Sequence, residues 1–198
     1  MENQAIKVIM KRLEETYSPY LPTAKRLLPF FLASIMVGVI LAFSVSLDTA
    51  HDIRFWLTPT PWLRAVGLPA GSPYFQRVLE LEAAHQAELL LVFAGFCLWD
   101  MPGLAVLLGE GFEWGFYRAT DIRMGLLDGA GEFLRIPQYF IGYGVILLAV
   151  SMAHKERCSP NRYEIANRWQ RLKKNPWPLL LLILGMFIND VLEAFWFI

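Results

Sequence analysis

The chain has 198 residues, of which 56% are hydrophobic and 18% charged, against roughly 45–50% and ~25% in a soluble domain. Its 18 basic and 18 acidic groups cancel, which leaves no general positive field for a polyanion and excludes nucleic acid as a partner. Two cysteines, Cys97 and Cys158, make neither a disulfide framework nor a CxxC metal motif, and the long uncharged runs define an integral membrane protein.

Taken in order, residues 1–26 form a polar lead with Ile6, Val8, Ile9 and Leu13 on one helical face. This pattern predicts an amphipathic helix over Gln4–Thr16 lying in the membrane interface. Ser18-Pro19 and Leu21-Pro22 end it. Residues 27–198 then read as one polytopic bundle with spans over about 27–47, 89–109, 136–152 and 177–198. Helices are expected because lipid offers no partner to backbone N–H and C=O groups, and the runs lack the alternation of barrel strands. Between the first two spans, Pro59, Pro61, Pro69 and Pro73 argue against one long helix. Six tryptophans (Trp56, Trp62, Trp114, Trp169, Trp177 and Trp196) fall near span ends or in loops, as interfacial belts do. The fold class is an all-α membrane bundle of about four transmembrane helices, with an N-terminal interfacial helix and a re-entrant segment at 109–135.

That re-entrant segment answers a topological conflict. Lys7, Lys11, Arg12, Lys25 and Arg26 precede the first span, and 154–175 is the densest basic stretch. The positive-inside rule puts both in the cytoplasm, yet three spans between them put them on opposite sides. Either the N-terminus lies outside, or one segment makes an even number of crossings, by 109–135 dipping into the membrane or by the second span splitting at Asp100-Met101-Pro102-Gly103. The stronger signal places the 154–175 loop in the cytoplasm of a bacterial-type inner membrane.

Candidate chemistry centres on Glu82, His85 and Glu88, spaced three apart on one helical face. Glu-x-x-His is a ligand pair of helix-bundle metal sites, so a metal at Glu82 and His85 is a candidate cofactor. Asp48 and His51 repeat the spacing after the first span and complete the candidate metal set. Asp100 joins Glu82, His85 and Glu88 as a candidate catalytic group, because a carboxylate inside a span costs roughly 2.5–3.5 kcal/mol and is retained for a partner. Asp190 and Glu193 share a face of the last span.

Three functions are open. The foremost is an accessory or structural subunit of a larger membrane complex, of the energy-transducing kind. Its partners would be lipids and other membrane subunits or further copies of itself, packed through Gly38, Gly142, Gly144 and Gly185. The alternatives are a small membrane enzyme using the Glu82–His85 site, metal-dependent or acid–base, and a transporter component using Asp100.

Overall fold

A computed structural model describes residues 2–57, 73–98, 101–126, 129–157 and 176–195. All its regular elements among these residues are helices: α1 (Glu2–Tyr17), α2 (Leu21–Ser44), α3 (Leu47–Leu57), α4 (Pro73–Leu98), α5 (Met101–Met124), α6 (Gly129–Arg157) and α7 (Trp177–Phe195). Three stretches are long and apolar enough to cross a membrane: Leu21–Ser44, Arg135–Lys155 and Trp177–Ala194. They coincide with three of the four expected spans, and the chain is a helical membrane protein.

The fourth expectation is corrected. The stretch 89–109 is not one helix, because α4 ends at Leu98 and α5 begins at Met101. Pro102 sits in the first turn of α5, where a missing N–H costs nothing, and Asp100 lies outside the described residues. Within 109–135, Gly109–Met124 continues α5, and α6 starts at Gly129. Gly125, with φ +67°, closes α5. Its N–H reaches Ile122 O at 3.1 Å and that of Leu126 reaches Asp121 O at 3.0 Å, a Schellman pairing that needs the left-handed backbone glycine tolerates.

Helix α2 shows how the bundle meets lipid. Ala24, Leu27, Phe31, Ser34, Gly38 and Ala42 recur every three or four residues and are buried. Phe30, Met36, Val37, Ile40 and Phe43 on its other face are each more than half exposed. A soluble helix would be polar there, whereas this face suits hydrocarbon. The buried stripe packs most extensively on α5. There Gly111, Gly115 and Ala119 oppose Ser34, Gly38 and Ala42, so the backbones approach closely along a small-xxx-small seam.

The helix ends sort into two groups. At one end of the bundle, Lys155 Nζ donates to Pro19 O at 2.6 Å and lies 5.3 Å above the Tyr20 ring. Tyr17 there donates its hydroxyl to Pro178 O at 2.8 Å. Burial, with Tyr20 beside it, pushes the Tyr17 phenol up to about 12, so it remains a donor at any ordinary pH. At the other end, Tyr74 donates to Val191 O at 3.2 Å, joining the start of α4 to the end of α7. Arg123 likewise joins the ends of α5 and α2 by donating to Ala42 O and, at 2.9 Å, to Val45 O. Helices α2, α4, α5, α6 and α7 therefore run alternately up and down.

Arg123 covers carbonyls that α2 leaves unpaired at its C-terminus. Hydrogen bonds to a charged donor contribute about 1.5–3 kcal/mol, so Arg123→Met is expected to lower stability by about that amount. An unfolding titration in detergent, read by tryptophan fluorescence, measures it; an unchanged midpoint would show that water serves these carbonyls equally well.

Candidate functional site

The half of the bundle nearest Lys155 and Tyr17 is filled by an apolar cluster that includes Leu27, Phe31, Val92, Leu107, Val150 and Leu182. The opposite half is built differently. The same helices there turn carboxylates, imidazole and guanidinium groups inward around a cavity of about 370 Å³.

Three helices supply the acidic wall. Helix α4 brings His85 and Glu88, α5 brings Glu110 and Glu113, and α7 brings Glu193. Helices α4 and α5 each carry their pair at i, i+3, the spacing that points two side chains the same way. Helix α6 supplies Gln138, Tyr139 and Tyr143. Tyr143 is about 12 Å into its span at 1.5 Å per residue. The mouth is basic: Arg54 from α3 and Arg118 both pair with Asp121, the second at 3.6 Å. Arg118 also lies 4.9 Å above the Tyr139 ring.

The centre of the site is His85. Its Nδ1 is 2.5 Å from Asp190 Oδ1, and Asp190 is completely buried. His85, Asp190 and Glu193 each present a ligand atom, all within 4.8 Å of one another. A narrow recess of about 30 Å³, lined by His85, Glu110, Asn189 and Glu193, adjoins them and has room for one ion or water. Neighbouring amides aim the carboxylates: Asn189 Nδ2 donates to Asp190 Oδ1 at 3.2 Å and Gln138 Nε2 to Glu193 Oε2 at 3.5 Å. Such outer contacts fix ligand orientation at metal sites. Helix α6 approaches closely enough that a Cβ at Gly142 would lie 2.6 Å from Asn189 Oδ1, so any side chain there would push the Asn189 amide from its place.

The acidic side is under-satisfied. Asp190 Oδ2, Glu88 Oε2 and Glu82 Oε2 are buried and have no hydrogen-bond donor among the described residues. The ligand atoms of Asp190 and Glu193 lie within 4.8 Å of each other, and Glu88, Glu110 and Glu113 line the same cavity. Carboxyl groups gathered this closely are relieved by a shared proton or by a cation between them. An unmet buried acceptor costs about 1–3 kcal/mol, more when charged, and a bound cation removes that cost.

The structure brings together only part of the sequence-predicted set. His85 and Glu88 line the cavity, and Glu82 stands beside it, accepting from Gln86 at 2.7 Å. Asp48 and His51 are exposed and line no part of it. They belong to the first turns of α3, where Ser46 Oγ accepts from Thr49 N at 3.1 Å and a carboxylate suits the helix dipole. Asp190 and Glu193, which share a face of the last span in the sequence, are the carboxylates that lie beside His85. Glu110 and Glu113 escaped notice, although Glu-x-x-Glu in a glycine-rich aromatic run was a signal available in the sequence. Trp114 is half-buried rather than part of a belt: it stands edge-on to Tyr139 and Tyr143, each with ring centroids 5.8 Å away. Comparison with protein-family models, curated proteins and solved structures gives no match for this chain.

Proposed function

We propose that this chain is a small integral-membrane enzyme that holds a divalent transition-metal ion in its bundle and uses it for acid–base chemistry on a polar group entering the cavity. The observation that carries the reading is the convergence of His85, Asp190 and Glu193 within 4.8 Å beside a one-ion recess, with a fully buried Asp190 oxygen lacking a donor. One imidazole and two carboxylates suit zinc, manganese or iron, and three protein ligands leave coordination positions open, as catalytic sites do. The ion would supply Lewis acidity. Glu88, Glu110 and Glu113 stand close enough to take or return a proton, and the Arg54–Arg118–Asp121 mouth and aromatic wall orient what enters.

The reading places the enzyme in an inner-type membrane, with the 154–175 connection cytoplasmic. It also replaces the accessory subunit as the favoured function. Three of the four small residues offered for partner packing are used within the chain: Gly38 against Phe112 and Phe116, Gly142 against Asn189, Gly185 against Val145, while Gly144 faces open space.

Elemental analysis of protein purified in mild detergent tests it. The wild type is expected to hold ~1 transition-metal ion per chain, as a three-ligand site does. His85→Ala and Glu193→Gln are expected to lose most of it, while His51→Ala and Asp48→Asn keep it. Metal-free wild type that takes up no ion on reconstitution would sink the proposal.

A further inference from the structure

We infer that the two ends of the bundle face different compartments, with the basic end against the anionic cytoplasmic leaflet and the cavity open only to the opposite side, from which it takes its ion and substrate. The inference rests on the metal-site reading for what enters the cavity, and on independent geometry for which way the cavity faces.

The first observation is parity. Four alternating helices, α2, α4, α5 and α6, lie between the N-terminal segment and the 158–175 connection. The contacts of Lys155 with Pro19 and Tyr20, and of Tyr17 with Pro178, put the start of α2, the end of α6 and the start of α7 at one end. The two basic stretches that a three-span count sets apart therefore meet on one side. Splitting the second span at Asp100–Pro102 produces this result, with no re-entrant loop.

The second observation is charge. Every lysine in a described helix (Lys7, Lys11, Lys25 and Lys155), with Arg12, Arg26 and Arg157, belongs to a segment at that end, and in sequence Arg162, Arg168, Arg171, Lys173 and Lys174 fall between α6 and α7. Lys11, Arg12, Lys25, Arg26 and Lys155 are exposed, and of the nearby exposed acids Glu14 and Glu15 only Glu15 pairs, at 3.8 Å from Lys11. Among the described residues the opposite end has no lysine. Four arginines there are drawn inward: Arg54 and Arg118 onto Asp121, Arg123 onto backbone carbonyls, and Arg135 into the cavity lining. Asp48 and Asp52 are the exposed charges there on α3. Lysine and arginine close to helix ends set orientation, and anionic lipid on the cytoplasmic leaflet attracts them.

The third observation is the seal. Leu107, Val150, Met152, Leu182 and Met186 are at most 2% exposed and fill the bundle between the cavity and the basic end. The cavity lining instead reaches Arg54, Asp121 and Arg135, all at the far helix ends. An ion reaching His85 from the basic side would have to cross this apolar layer, whereas the far side offers carboxylates and guanidinium groups along the way.

Cysteine accessibility decides the matter. In a background with Cys97→Ser and Cys158→Ser, Asp52→Cys and Lys11→Cys are placed singly on the two ends and treated in intact bacterial cells with a membrane-impermeant maleimide. Asp52→Cys is expected to label fully in intact cells, and Lys11→Cys only after permeabilisation. Ser46→Cys and Arg26→Cys repeat the pair should either first variant fail to accumulate. The reversed pattern, labelling of both positions from one side, or equal mixed labelling overturns the inference. Labelling reports orientation whether or not a metal is bound, so its failure is distinct from failure of the elemental analysis.

Discussion

Adding a single methyl group at Gly115 is expected to destabilise the protein by about 2–3 kcal/mol, whereas the same change at Gly144 leaves it unharmed. In a helix interior alanine is favoured over glycine by about 0.8–1.0 kcal/mol, so propensity alone predicts a gain at both positions. The surroundings reverse the sign at one of them. A Cβ at Gly115 would fall on the Ile35 carbonyl, with Ile35 Cα at 3.0 Å, and these are backbone atoms that no rotamer change can move. Gly111 faces Phe31 O at 2.9 Å, and Gly38 faces Phe116 N at 2.8 Å from the other helix. Gly144 has nothing within 4 Å of the added carbon. The α2–α5 seam therefore holds only while both helices stay bare along this stripe. Its loss would also displace Glu110 and Glu113, which ride on the next faces of α5. Unfolding midpoints of Gly115→Ala, Gly111→Ala and Gly144→Ala in one detergent test this, and a Gly115→Ala midpoint at or above wild type would mean that the seam is not there.

That seam also shows where reading from sequence succeeds and where it stops. Hydropathy finds α2, the apolar part of α6 and α7 because each presents a broad greasy face to lipid. It passes over α5, whose 110–123 stretch carries Glu110, Glu113, Arg118, Asp121 and Arg123, because composition records charge without recording which way it points. Inside the bundle those groups meet one another, so a charged helix can sit at membrane depth. The same blindness governs the site. Spacing alone brought out Glu82, His85 and Glu88, since helical periodicity puts them on one face. Their partner was a matter of packing. Two i, i+3 pairs offered themselves, Asp48/His51 and Asp190/Glu193, and only the antiparallel meeting of α4 with α7 selects the second. The break between the helices that end at Leu98 and begin at Met101 is legible as Pro and Gly in the sequence. Its consequence, an even number of passes between the basic segments, emerged only once the helix ends were seen to pair.

A divalent metal ion is expected to raise the thermal midpoint of the chelator-treated protein by roughly 8–16 °C at a thousandfold excess over Kd. Binding to the folded state alone contributes about 4 kcal/mol under those conditions, and a chain of this size shifts by about 2–4 °C per kcal/mol. Without the ion, the site holds Asp190 and Glu88 oxygens that have no donor among the described residues, an arrangement that folding must carry as a penalty. His85→Ala removes one candidate ligand and the imidazole that pairs with the buried Asp190, so it should both lower the metal-free midpoint and abolish the metal-induced rise. Glu110→Gln separates the two effects. An amide removes one acid from the wall and offers a donor to the carboxylates that line the same cavity, so the metal-free midpoint should rise above wild type. Glu110 lies outside the His85–Asp190–Glu193 set, and the metal-induced rise should therefore persist in this variant. Equal responses to metal in wild type and His85→Ala would assign any shift to ions binding elsewhere on the protein. A fall in the metal-free midpoint of Glu110→Gln would mean that the charged cluster is satisfied as it stands and has no need of a cation.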